Sequence, residues 1–164
     1  MKNLFTNLNE KISKMLEDDS SLLSKAKKKW EDQYVPVPIT SEMILSLLHR
    51  QTFEGISNLE VQFVGDRMVI SGSAKKMGMN IFFKVEMKAM SAAGRKINFE
   101  VVDMKPINQD WIKKKVFNQP PMMTYDSGHI TMDLDAMESI RDIPWGTIKS
   151  FEIKDNMLWV GIGI

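Results

Sequence analysis

The chain has 164 residues, 43% hydrophobic and 26% charged, with a formal net charge of +1. Those values describe one ordinary globular domain, and the near-neutral charge gives no overall attraction toward nucleic acid, so none is expected as a partner. With no cysteine there is no disulfide, thiolate metal site or cysteine nucleophile. With neither a secretory signal nor a membrane-length apolar run, the expected location is the cytoplasm, with peripheral contact to the membrane.

At the amino terminus Leu4, Phe5, Leu8, Ile12, Met15 and Leu16 recur at helical spacing, which predicts an amphipathic helix. A second helical segment carries Leu22, Leu23, Ala26 and Trp30, and Lys25, Lys27, Lys28 and Lys29 crowd its end, where cations suit the helix dipole. Residues 1–34 therefore read as a helical arm and 35–164 as the main domain. Val35-Pro36-Val37-Pro38 reads as the extended linker between them, because each proline fixes its own φ and biases the residue before it away from helix.

A helix is predicted from Thr40, a good N-cap, to about Gln51, with Ile39 and Ile44 placed for a hydrophobic staple. Strands follow. Leu59, Val61 and Phe63 alternate, Gly65-Asp66 turns, and Met68, Val69 and Ile70 return, with Ser71-Gly72-Ser73 as a soft spot. From Met77 to Ala89 the odd positions Met77, Met79, Ile81, Phe83, Val85, Met87 and Ala89 are apolar, while Asn80, Lys84, Glu86 and Lys88 lie between them. That period of two marks a long strand with one buried face. Ala92-Ala93-Gly94 turns the chain into Ile97, Phe99 and Val101, and a slip at Val101-Val102 predicts a bulge that returns Met104 to the apolar face.

Asn108 is placed to cap a helix with Trp111, Ile112 and Val116 apolar and Lys113, Lys114 and Lys115 exposed, ended by Pro120-Pro121. Ile130, Met132 and Leu134 predict a short strand, and Pro144-Trp145-Gly146 leads into a final hairpin. Residues 152–161 of that hairpin align without gaps on residues 63–72, matching Asp155 to Asp66, Met157 to Met68 and Gly161 to Gly72. Either duplication or shared turn chemistry explains the echo.

No catalytic signature is present: there is no nucleophile elbow, P-loop or dinucleotide fingerprint. His49 and His129 stand apart from one another and lack helix-spaced partners, so no metal or cofactor is expected. Asp126, Asp133, Asp135 and Glu138 are candidate hard-cation ligands without the compact spacing of a calcium loop, and a solvated strand face is the simpler reading. The 14 methionines are the compositional outlier; core filling is their simplest role, adaptable apolar contact the functional one.

The capped helix, the G-D-R turn followed by V-I-S-G-S-A, the long amphipathic strand and the closing D-N-M-L-W-V resemble bacterial domains related to the tubular lipid-binding (TULIP-like) superfamily, over roughly residues 39–164. The resemblance implies a highly curved antiparallel sheet wrapped around a helix, with an apolar groove that holds lipid. The chain departs from many such relatives in lacking a signal or lipobox, and in its length, which implies that a complete tube needs a partner subunit or does not form.

The expected fold is thus α+β, a curved antiparallel sheet on a helix with an N-terminal arm. The expected function is non-enzymatic binding of a lipid or other long apolar ligand. Leu47, Leu48, Met79, Ile81, Phe83, Val85, Met87, Ile97 and Phe99 would line the groove. Leu4, Phe5, Leu8, Ile12 and Trp30, with Lys27, Lys28 and Lys29, would contact a membrane or a second subunit. The alternative is a protein–protein module that forms a homodimer through the arm.

Overall fold

A computed structural model of the chain describes residues 34–50, 54–106 and 109–164; nearly all of the expected arm lies outside these residues, as does Asn108. In chain order the elements are β1 (Val35–Thr40), α1 (Ser41–Leu48), β2 (Ile56–Val64), β3 (Arg67–Lys76), β4 (Met79–Ala93), β5 (Lys96–Lys105), α2 (Asp110–Phe117), β6 (Met123–Asp126), β7 (His129–Asp133), a 3-10 turn (Leu134–Ala136), α3 (Glu138–Arg141), β8 (Thr147–Lys154) and β9 (Met157–Gly163). The strands form two open antiparallel sheets, one in the order β1-β9-β8 and the other β2-β3-β4-β5-β7-β6. A single hydrophobic core draws side chains from both sheets and from α1 and α2.

The two prolines do not make a linker. Val35-Pro36-Val37-Pro38 belongs to β1, paired from Val35↔Ile162 to Thr40↔Met157. Val35, Val37 and Ile39 are buried, whereas Pro36 is exposed and Pro38 half-buried. An edge strand accepts proline where the missing N–H faces away from the ladder, and β1 is such an edge. Thr40 then caps α1: its Oγ1 accepts from the Met43 amide at 3.2 Å. The helix packs against β1 and β2 and buries Ile44, Leu47 and Leu48.

The long strand is β4, of 15 residues. Phe83, Val85 and Met87 are fully buried, and Ile81 and Ala89 are half-buried. Met77 is not part of it. Met77 and Gly78 form the turn, both with positive φ (+53° and +79°), the geometry of a two-residue hairpin of the primed type. Ser71-Gly72-Ser73, expected as a soft spot, lies within β3. A Cβ on Gly72 would stand 3.0 Å from Cζ of Phe83 and 3.0 Å from the Ser57 carbonyl. Glycine at that position is what lets the Phe83 ring approach the neighbouring strand so closely.

The bulge falls where the alternation slips. Glu86 opposes Asp103 and Met87 opposes Val101, leaving Val102 over, and Met104 returns to the core. The two look-alike hairpins share a two-residue turn, Gly65-Asp66 in one and Asp155-Asn156 in the other. The gapless alignment is therefore one residue out of structural register. Met68 corresponds in space to the buried Leu158, not to Met157, since a one-residue slip exchanges the faces of a strand.

The turn between β4 and β5 joins the two sheets. Gly94 O accepts from the Ile148 amide of β8 at 2.8 Å, and Arg95 O accepts from the Leu134 amide at 3.0 Å. The Arg95 guanidinium donates to the carbonyls of Gly146 (3.0 Å), Ile140 (2.9 Å) and Ile143 (2.7 Å) and to Oδ1 of Asp135 (3.1 Å). Arg95→Met leaves those carbonyls without their donor, at about 1–3 kcal/mol for each one that stays dry. A total loss of about 2–4 kcal/mol is expected in urea unfolding, of which Arg95→Lys restores only part, because an ammonium lacks the planar fork. Adjacent residues of β4 give a second test. Phe83→Ala should cost about 3–5 kcal/mol, while Phe82→Thr, on the exposed face, should change stability by about 0.5 kcal/mol or less.

Candidate functional site

Of the nine residues expected to line a groove, seven are buried members of the core: Leu47, Leu48, Phe83, Val85, Met87, Ile97 and Phe99. Core packing accounts for their apolar character without a ligand. Ile81 is half-buried against that core, and Met79, on the same strand face, lies beyond its edge, 67% exposed. The expected membrane or partner contacts Leu4, Phe5, Leu8, Ile12, Lys27, Lys28, Lys29 and Trp30 lie outside the described residues.

Two surface features take their place. The first is the β3–β4 hairpin tip. Met77 is 93% exposed and Phe82 68%, and with Met79 they put three large apolar side chains into solvent at one end of the sheet. Phe82 is exposed because it faces the opposite side of the sheet from Phe83, and the pairing explains Met77 and Met79. β3 and β4 stay together to Lys76↔Met79, but β2 leaves β3 at Ile56↔Ala74. The tip therefore extends beyond the strand that would shield it. Lys75, Lys76 and Lys84 are exposed around it. The Lys76 ammonium lies 4.7 Å from the centroid of the Trp111 ring on α2, a cation–π contact. Lys115 reaches the same end of the sheet, its Nζ 3.7 Å from where a Gly55 Cβ would be. The tip is thus apolar at its crown and basic below.

The second feature is a cleft of about 470 Å³ between the end of β5, α2 and the β6–β7 turn, lined by Val101, Asp103, Asp110, Lys113, Tyr125 and Gly128 among others. β6, Met123–Asp126, is a strand that the sequence pattern did not predict; it pairs with β7 across the Ser127-Gly128 turn, where both residues have positive φ. It carries Tyr125 to the cleft. The Tyr125 hydroxyl donates to Oδ1 of Asp110 at 2.7 Å and accepts from the Gly128 amide at 3.2 Å. Burial and the bond to Asp110 push the phenol up to about 12. Tyr125 is therefore a neutral hydrogen-bond donor across the physiological range rather than a base. The same bond, and Lys114 at 3.3 Å from Oδ2, hold the Asp110 carboxyl below its usual range.

Lys113 departs from expectation. Read as exposed with its neighbours, it retains only 7% exposure. The helical period turns Lys113 inward with Ile112 and Val116 while Lys114 stays outside. Its ammonium lies 5.7 Å from the centroid of the Tyr125 ring. Among the described residues it has no hydrogen bond, nor any carboxylate within ion-pair distance.

The acidic residues of the second half do not converge on a cation. Asp133 accepts from the Asp135 amide at 3.0 Å as the cap of the 3-10 turn, and Asp135 pairs with Arg95. Asp135 lies past the end of β7, not on the strand face beside Asp133. His49 stands at the carboxyl end of α1 and His129 at the start of β7, both exposed. No protein-family model matches the chain, and neither a curated protein nor a solved structure was found to match it.

Tyr125→Phe tests the polar corner of the cleft. At neutral pH it should lower unfolding stability by about 1 kcal/mol. The depressed carboxyl of Asp110 contributes stability above its unfolded value, near 3.8, and loses it as the pH falls through the lower folded value. The difference between wild type and variant should therefore shrink in acid below the unfolded value, and the Asp110 carboxyl should titrate higher in the variant by NMR.

Proposed function

We propose that this protein is a non-enzymatic binding module that engages lipid at an anionic membrane surface, with the β3–β4 hairpin tip as its contact. The observation that carries the reading is the exposed trio Met77, Met79 and Phe82 above a lysine collar. Met77 is the most telling of the three. It is almost wholly exposed and adopts left-handed backbone geometry, which costs a side-chain-bearing residue about 1–2 kcal/mol. Asparagine is the ordinary residue for such a turn. A methionine there serves neither the turn nor the core, and strain of this kind concentrates at contact sites.

The energetics suit an interface. Fully burying each of these side chains in an apolar phase is worth about 1.5–3 kcal/mol, and each lysine near an anionic surface adds about 1 kcal/mol. Lys75, Lys76, Lys84 and Lys115 supply the charges, and Trp111 beneath Lys76 supplies a ring of the kind found at headgroup level. The resemblance to lipid-binding domains supports the same class of ligand, here placed at a surface contact instead of within a groove.

Flotation with vesicles tests the reading. The wild type should float with phosphatidylglycerol-containing vesicles, more weakly with pure phosphatidylcholine, and less as salt rises. Met77→Asn should raise folding stability by about 0.5–1 kcal/mol and weaken flotation, which separates binding from folding. Phe82→Ser should weaken it further, and Lys75→Glu with Lys76→Glu should abolish the preference for anionic vesicles. Flotation unchanged in these variants, or absent in the wild type, would sink the proposal. Concentration-dependent self-association lost in Met77→Asn would instead make the tip a contact between copies of the chain.

A further inference from the structure

The cleft beside α2 has two features that the membrane contact does not use. The first is a bare strand edge. β5 runs from Lys96 to Lys105, yet β7 accompanies it only from Lys96↔Asp133 to Glu100↔His129. The Val101 amide still donates to Gly128 O at 2.8 Å. Beyond it, β5 has β4 on one side and, among the described residues, no strand on the other. That bare stretch, Val102 to Met104, lines the cleft together with Val101. The second feature is Lys113, a charged side chain more than nine-tenths buried, whose ammonium has no hydrogen-bond or ion-pair partner among the described residues.

Each feature calls for a particular chemistry. A strand edge offers a row of backbone donors and acceptors that an extended segment satisfies by pairing. An ammonium at the end of a buried stem, facing the cleft that it lines, is a ready partner for an anion at close range. The acidic residues narrow the choice of anion. Both oxygens of Asp110 are engaged, by Tyr125 and Lys114, and Asp103 also borders the cleft. With Lys114 neutralising Asp110, Asp103 and Lys113 remain as an overall neutral pair, a balance that disfavours a dianion such as phosphate more strongly than a single carboxylate. The cleft volume of about 470 Å³ corresponds to roughly three residues of extended chain, at the scale of ordinary ligand sites.

From the bare edge of β5 and the cleft-facing Lys113 we infer a second site, which receives the carboxyl-terminal end of an extended peptide: its backbone adds to β5 along Val102–Met104, and its terminal carboxylate pairs with the Lys113 ammonium. Binding is non-covalent. The Tyr125–Asp110 bond fixes the wall of the cleft beneath the ammonium, and Asp103 and Asp110 favour peptides with neutral or basic side chains near the terminus.

The test uses the full chain and a pool of random-sequence hexapeptides in two forms, with a free terminal carboxylate and with a terminal amide. Retained peptides are identified by mass spectrometry, and acetate serves as a free monoanion. The free-acid pool should yield retained sequences, and their amidated forms should bind tenfold or more weakly. Lys113→Met should lose that preference, and the Val102 and Asp103 amides of the wild type should shift in NMR spectra on peptide addition. Equal retention of acid and amide overturns terminal capture. Shifts confined to residues outside Val102–Met104 overturn strand addition. Acetate binding without peptide retention, or no retention at all, overturns the peptide site. If Lys113→Met does not fold, the acid-to-amide ratio and the amide shifts of the wild type decide the question by themselves.

Discussion

The guanidinium of Arg95 stands where the two sheets meet, and the arrangement of the carboxyl-terminal half depends on it. It reaches three carbonyls between Ile140 and Gly146 as well as Asp135, while the backbone of Gly94 and Arg95 accepts from Ile148 and Leu134. The segment between β7 and β8 has little regular structure, only a 3-10 turn and the four residues of α3. Its carbonyls would otherwise have to find donors in water or be buried unpaired. One planar fork provides several donors at fixed angles, so a segment with few ladder bonds of its own is tied to the end of the long hairpin. The geometry of β8 against β4 follows from that tie.

The length of β4 connects architecture to the proposed contact. A strand of ordinary length would end where its neighbours end. β4 instead continues past the reach of β2, and the same odd-numbered face that buries Phe83, Val85 and Met87 emerges from the core at Met79. One period-two pattern therefore makes both a core wall and an exposed apolar tip. Which of the two a given residue becomes depends on whether another element covers it. The basic collar has a similar origin, since α2 lies at the same end of the sheet and brings Trp111 and Lys115 beside Lys75 and Lys76.

At the opposite side of α2, helical periodicity directs one lysine of three into the molecule. Lys114 finds Asp110 one turn earlier, an ordinary surface pair of small value. Lys113 instead lies against the Tyr125 ring and feels Asp110 only at longer range, with no ion pair among the described residues. The short β6–β7 hairpin creates this difference, because it carries Tyr125 under α2 and at the same time stops β7 from covering the last half of β5. Among the described residues, a bare edge and an inward-turned lysine are two consequences of one hairpin being short.

Much of this was legible along the chain. The alternation in 59–63, 79–89 and 97–104 named the buried faces, the slip at Val101-Val102 named the bulge, and Thr40 named the start of α1. These are local properties, governed by the twofold period of a strand and by cap chemistry. What local pattern does not specify is the element that comes to cover a face. Pro36 and Pro38 read as a linker because their role as an outer edge depends on β9, which lies at the far end of the chain. Met77 and Met79 read as core because the pattern carries no information on where β2 stops. Lys113 read as exposed because a run of three lysines does not show that β6 passes beneath one of them, and β6 itself is too short to announce its period. Arg95 carried no signal at all, since its partners lie 40 to 51 residues away. The sequence by itself determined faces, turns and caps, which are set by neighbours within a few residues. Only the tertiary structure decided which faces are covered, which strand edge is left bare among the described residues and which lysine turns inward, because those depend on contacts between segments distant in the chain.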